Sequence, residues 1–122
     1  MILIKMLDWF VKLGGAVALI LGLAFWGGAL TGLVNLHIAL GIGLVLSLWT
    51  LAVLAMRKGE KVGIIAGAFV WGLVTIGLGF GQAQMLVGEF HWIVQVAHLL
   101  VSLGAIALGS MFARTALGQP IS

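Results

Sequence analysis

Three histidines stand out chemically from the apolar residues around them. His37 lies in the stretch NLHIALGIG, His98 lies in WIVQVAHLLVSLG, and His91 directly precedes that second stretch. Ionisable side chains within membrane helices are costly and usually mark a functional site. A neutral imidazole can bind a metal through a ring nitrogen, or it can hydrogen-bond to a neighbouring helix. The residues alone therefore leave two kinds of site open, a cofactor site and a structural hydrogen-bond network.

His37 and His98 lie at similar distances along the chain from the next arginine, a spacing that favours haem. His37 precedes Arg57 by 20 residues and His98 precedes Arg114 by 16, or about 30 Å and about 24 Å along a helix. This difference is about one turn, which helix tilt can absorb. A zinc site would need three or four protein ligands. Haem brings its porphyrin nitrogens as ligands, so two histidines suffice, and we predict haem b with His37 and His98 as its axial iron ligands.

A polar stripe extends this predicted site along the fourth apolar segment. His91 and His98 are seven residues apart and so return to nearly the same helix face. The stripe consists of His91, Gln95, His98 and Ser102. We expect His91 to lie near the haem propionates, although an assignment with His91 in place of His98 as the ligand stays open. Gly41, one turn after His37, is expected to leave room for the flat cofactor.

The elements that must position these residues follow from composition. Of the 122 residues, 63% are hydrophobic and 7% are charged, whereas soluble domains carry roughly 25% charged residues. Apolar runs of the length needed to cross a bilayer, about 20 residues, lie at about 9–30, 35–56, 62–82 and 90–112. Their short connections predict an all-α membrane protein, a single domain of residues 1–122 with four transmembrane helices in an up-down-up-down bundle.

Charge and cysteine content narrow the class further. The chain has no cysteine, which excludes disulfides and thiolate metal sites, and it offers no basic surface for nucleic acid. All six basic residues fall on one side of the predicted bundle: Lys5, Lys12, Arg57, Lys58, Lys61 and Arg114. The positive-inside rule then predicts a multi-pass protein of the cytoplasmic (inner) membrane with both termini in the cytoplasm.

The segments around the two histidines resemble a known family. NLHIALGIGLVLSLW around His37 and VQVAHLLVSLGAIALG around His98 look like one half of the haem A synthase family, which also has half-length relatives. This resemblance implies a four-helix bundle with haem between the second and fourth helices. The family's catalytic bundle has an acidic residue shortly before the second-helix histidine, whereas residues 33–36 here are Leu-Val-Asn-Leu. The resemblance therefore supports a b-type cytochrome rather than haem oxidation.

These observations predict an electron-transfer protein within the lipid bilayer. Its electrons would pass to or from a quinone or a redox partner subunit. A homo-oligomer is also compatible with these observations. Two alternatives remain at this stage. In the first alternative, the chain is a cofactor-free scaffold subunit of a larger membrane complex, with its histidines in a hydrogen-bond network. In the second, it is a half-length haem-modifying enzyme.

Overall fold

The computed structural model describes residues 1–119, which form four long helices and no strand. The helices are α1 (Ile2–Trp26), α2 (Val34–Met56), α3 (Val62–Gly81) and α4 (His91–Ala116), with single 3₁₀ turns at Thr31–Leu33 and Gln82–Gln84. All four helices are long and apolar enough to cross a membrane. The predicted all-α four-helix architecture is confirmed, and the chain is a multi-pass membrane protein.

The first helix differs most from its predicted bounds of about 9–30. It begins at Ile2 because the charged residues near the N-terminus are part of the helix rather than a segment preceding it. Lys12 pairs with Asp8 one turn away at 2.7 Å, a spacing that supports helix formation. The helix ends at Trp26, before a turn in which Gly28 has a φ of +82°. Only glycine enters this left-handed region without a steric cost.

The fourth helix runs four residues past its predicted end at 112. Phe112, Ala113 and Ala116 are all buried, so the packed face of α4 continues into the last turn, where Arg114 also lies. Gly118, with a φ of +73°, follows the end of the helix. The second and third helices match their predicted bounds to within one residue.

The four helices pack around a central pair. α2 and α4 contact each other along their length, and each also packs against both α1 and α3. Within the described chain, α1 and α3 do not touch each other. The histidine-bearing helices are therefore the two that meet at the centre of the bundle.

A pseudo-twofold relation links the hairpin of α1 and α2 to the hairpin of α3 and α4. Gly15 of α1 lies against Ile106 of α4, and Gly72 of α3 lies against Val45 of α2. The two glycines are 57 residues apart and the two aliphatic residues are 61 apart. The same offsets recur in the site described below, so each hairpin supplies an equivalent half of the bundle.

The tightly packed core occupies the end of the bundle that carries the basic residues. Its centre is formed by fully buried side chains that include Val11, Leu48, Leu51 and Phe112. Close packing in this layer excludes any sizeable ligand. The space for a ligand lies at the opposite end of the bundle.

Two deep tryptophans pack helices together rather than line that space. Trp49 stacks on Phe69 with ring centroids 5.2 Å apart and planes inclined by 9°. Trp71 covers Gly104 and donates from Nε1 to the carbonyl oxygen of Val101 at 2.8 Å. Both tryptophans therefore have a packing role.

Candidate cofactor-binding site

A cavity of about 360 Å³ opens in the half of the bundle opposite the basic loop. This volume lies within the range of small-molecule and cofactor sites. All four helices contribute to its wall, which is mostly apolar and contains no Asp, Glu, Lys or Arg. The predicted site residues in this wall are His37, Gly41, His91, Gln95, His98 and Ser102.

The rings of His37 and His98 lie side by side across this cavity. Their centroids are 6.4 Å apart and their planes are inclined by 71°. His37 extends from α2 and His98 from α4, the central pair of the bundle. The comparison of distances along the two helices therefore paired two residues that do approach each other.

His37 is held in one orientation by contacts to α1. Its Nδ1 is 2.9 Å from the carbonyl oxygen of Ala18. A carbonyl oxygen can only accept, so Nδ1 carries the proton, and the lone pair of the neutral ring is then on Nε2. Phe25 packs edge-on against the ring at 5.3 Å, and a Cβ atom built on Gly22 would lie 3.3 Å from Cε1. This arrangement fixes the tautomer that metal-bound histidines commonly use.

His98 is held less firmly. Its Nδ1 is buried and has no hydrogen-bond partner among residues 1–119. The hydroxyl of Ser102 donates to the backbone carbonyl of His98 at 2.7 Å, not to the ring. An unpaired buried polar atom costs about 1–3 kcal/mol. The ring lies against Gly79, where a Cβ atom would be 3.3 Å from its Cε1.

His91 lies at the mouth of the cavity and has a different partner. Its Nδ1 donates to the carbonyl oxygen of Met85 at 3.0 Å, which ties the start of α4 to the preceding loop. The ring beside His37 is that of His98. Gln95 lies between the two α4 histidines and also borders the cavity.

Gly41 faces open space, because a Cβ atom built there would have no neighbour within 4 Å. The residue lines the cavity next to His37. Open volume at this position is what its predicted role requires, although that role stays a prediction.

Gly22 and Gly79, against which the rings of His37 and His98 pack, were not predicted from the sequence. A signal for them is present in the chain. Gly22 follows Gly15 by seven residues in α1, and Gly79 follows Gly72 by seven residues in α3. Because seven residues are two helical turns, each pair lies on one face of its helix. Comparing the two hairpins would have revealed both positions.

The donor set suits a cofactor that brings its own ligands. No group of three or more His, Asp or Glu residues that could hold a metal ion occurs within residues 1–119. Two bonds of about 2 Å between a metal and imidazole nitrogens, together with the radii of both rings, require centroids about 6–6.5 Å apart. The observed 6.4 Å satisfies this requirement.

Neither a protein-family model, nor a curated protein, nor a solved structure matches this chain. The functional assignment therefore rests on the geometry and chemistry of the cavity itself.

Proposed function

We propose that the protein is an integral membrane b-type cytochrome that binds one haem b between His37 and His98 and transfers single electrons. The observation that carries this proposal is the 6.4 Å separation of the two rings across an apolar cavity. A second support is the Nδ1 hydrogen bond of His37, which leaves the Nε2 lone pair for iron. The half-length haem A synthase resemblance is consistent with this site.

The bound haem would supply a one-electron iron couple, and the protein would set its properties. The imidazoles of His37 and His98 would hold the haem iron, and the apolar wall would exclude water from the porphyrin. His91 and Gln95 lie where the cavity approaches the loops and are the residues that we assign to the propionates. A quinone or a redox partner subunit would exchange electrons with the haem at this end.

We also propose an orientation in the cytoplasmic membrane. The basic residues of α1, the loop between α2 and α3, and the last turn of α4 share one end of the antiparallel bundle. By the positive-inside rule this end and both termini face the cytoplasm. The haem cavity then lies in the outer half of the membrane.

Two rival functions are weaker. A cofactor-free scaffold accounts for the His37 hydrogen bond to Ala18 but not for a cavity flanked by two rings. A haem-modifying enzyme would need a group that acts on the porphyrin edge. The cavity wall contains no carboxylate, so the electron-transfer assignment is preferred.

The direct test is the absorption spectrum of the protein purified after expression with ample haem. We expect reduced low-spin haem bands in the unmodified protein and their loss in His37→Ala and His98→Ala. His91→Ala distinguishes the two ligand assignments and should keep a six-coordinate spectrum, because the ring beside that of His37 is His98, with the two centroids 6.4 Å apart. A well-folded but colourless unmodified protein would refute the proposal in favour of the scaffold.

Electron paramagnetic resonance of the ferric protein adds an independent readout. The imidazole planes are inclined by 71°. Nearly perpendicular axial imidazoles leave the two iron orbitals that bond with them close in energy, which gives a strongly anisotropic low-spin signal. A rhombic signal typical of parallel imidazoles would contradict the proposed pairing. Product analysis that finds unaltered haem b after aerobic expression would exclude the haem-modifying enzyme.

A further inference from the structure

We infer that the two histidines are not equivalent: His37 is the permanent haem ligand, and His98 is an exchangeable ligand that a neutral diatomic molecule of the carbon monoxide class can replace. This inference rests on the proposed function, because it concerns the two sides of the same haem. It is carried by the pseudo-twofold relation of the two hairpins and by a hydrogen bond of one histidine ring that the other ring lacks.

The histidine and the glycine beside it correspond between the two halves of the site. Gly22 supports the ring of His37, and Gly79 supports the ring of His98 with the same 3.3 Å approach to Cε1. The two glycines are 57 residues apart and the two histidines 61 apart, the offsets that relate the hairpins elsewhere. The residue of α3 that corresponds to Ala18 is therefore Thr75.

The correspondence ends at the hydrogen bond of the ring. Ala18 accepts from Nδ1 of His37, whereas Nδ1 of His98 finds no partner in residues 1–119, Thr75 included. The Thr75 hydroxyl donates to the carbonyl oxygen of Trp71 at 2.9 Å, and neither the hydroxyl oxygen nor the backbone carbonyl of Thr75 accepts a hydrogen bond from Nδ1 of His98. Hence one ring is fixed by a hydrogen bond and the other ring is fixed only by packing.

This difference alters how strongly each ring holds a metal. A hydrogen bond from the ring nitrogen that does not bind the metal orients a ligating histidine and raises the basicity of the ring. Loss of this hydrogen bond typically lowers metal affinity about 10- to 100-fold. His98 is accordingly the weaker ligand. In the exchange His98 withdraws its nitrogen lone pair and carbon monoxide supplies its carbon lone pair, so no electron is transferred and no proton is released.

The surroundings of His98 select a neutral ligand. The cavity wall is mostly apolar, so it suits a small neutral molecule, which needs no charged partner when it is buried. A small apolar molecule reaches this cavity through the bilayer.

The test titrates the reduced haem protein with carbon monoxide and follows the absorption spectrum. We expect the unmodified protein to bind the gas with loss of its six-coordinate bands. His98→Ala should retain haem on His37 as a five-coordinate form and bind the gas more tightly, because no internal ligand then competes for the iron. His37→Ala should lose most of its haem. Equal haem retention in both variants, or no gas binding by the unmodified protein, would overturn the inference.

A matched pair of glycine variants probes the same asymmetry with less risk to folding. Gly22→Ala and Gly79→Ala each place a methyl group 3.3 Å from the Cε1 atom of a histidine. We expect Gly22→Ala to weaken haem binding more, because His37 cannot turn away without losing its hydrogen bond to Ala18. The reverse order would contradict the inference.

Nitrogen NMR of the histidine rings in the apoprotein separates this inference from the proposed function. His37 should show a single Nδ1–H tautomer, and His98 should exchange between tautomers. Two identically fixed rings would refute the asymmetry even in a haem protein. A colourless protein with unequal rings would instead refute the cytochrome function, and with it the ligand exchange, while the difference between the two rings would stand.

Discussion

The side chains around His37 and His98 determine what the cavity can hold. Each ring rests on a glycine, one from α1 and the other from α3, so the backbone approaches both rings closely. Between these contacts the wall is apolar and open at Gly41. The volume next to the histidines, more than the histidines themselves, separates a cofactor site from a hydrogen-bonded helix pair.

Filling this volume should abolish haem binding without unfolding the protein. In Gly41→Leu the new side chain meets no atom within 4 Å at its Cβ and extends into the cavity beside His37. We expect haem content to fall roughly tenfold or more, equivalent to a loss of at least about 1.4 kcal/mol of binding free energy. The measurement is the haem-to-protein ratio after purification.

Gly63→Leu is the matched control for this variant. A Cβ atom built on Gly63 would also have no neighbour within 4 Å, but this residue is exposed on α3 and lies outside the cavity wall. Haem content should be unchanged. Equal haem loss in both variants would indicate a general effect of a bulky residue rather than a site at Gly41.

At this scale the sequence predicted the residue types but not their partners. His37 and His98 could be paired because their depths follow from the helical rise. The acceptor for a ring N–H could not be predicted, since any carbonyl of a neighbouring helix can serve and the choice depends on helix rotation. For that reason the sequence did not predict that His37 bonds to the Ala18 carbonyl while Nδ1 of His98 has no partner within residues 1–119.

Helix packing depends on glycines that receive a bulky side chain from a neighbouring helix. Trp49 enters the space at Gly72, and Trp71 enters the space at Gly104. Small residues are the usual means of close helix approach in membranes, where no hydrophobic effect draws helices together. The tryptophans therefore contribute to the bundle by filling these gaps.

Removing one of these gaps should destabilise the bundle. A Cβ atom on Gly104 would lie 2.5 Å from Cζ2 of Trp71, and the indole cannot move without losing its hydrogen bond to Val101. We expect Gly104→Ala to lower the free energy of unfolding by about 1–3 kcal/mol. Unfolding in mixed detergent micelles measures the change.

Gly67→Ala provides the comparison on α3, because a Cβ atom there has no neighbour within 4 Å. Alanine also favours the helical state over glycine. Its stability should match or exceed that of the unmodified protein. If Gly104→Ala were equally stable, the tight contact with Trp71 would not contribute to packing.

The helix bounds show which elements a hydropathy pattern can locate. α2 and α3 were predicted closely because charged or polar residues border them on both sides. α1 starts earlier because Asp8 is neutralised by Lys12 and also accepts from Ser110 of α4, so the helix carries these charges without breaking. A hydropathy pattern alone does not reveal such pairing.

The whole molecule divides into a packed end and an open end. Basic residues and the tight core share the first end, whereas the cavity and the connections without Lys or Arg occupy the second. The sequence predicted this polarity through its charges, but it could not locate the cavity, which depends on where glycines and histidines face after packing. If the basic end faces the cytoplasm, the cofactor site lies in the outer half of the membrane.

This orientation can be measured because the chain has no native cysteine. Ile2→Cys at the basic end and Val87→Cys at the cavity end replace side chains of nearly equal exposure, 77% and 76%. In intact cells a membrane-impermeant maleimide should label Val87→Cys and leave Ile2→Cys unlabelled until the membrane is opened. The physical reason is that short loops rich in Lys and Arg are retained on the cytoplasmic side. The opposite labelling pattern would place the cavity toward the cytoplasm and make a cytoplasmic redox partner the one to seek.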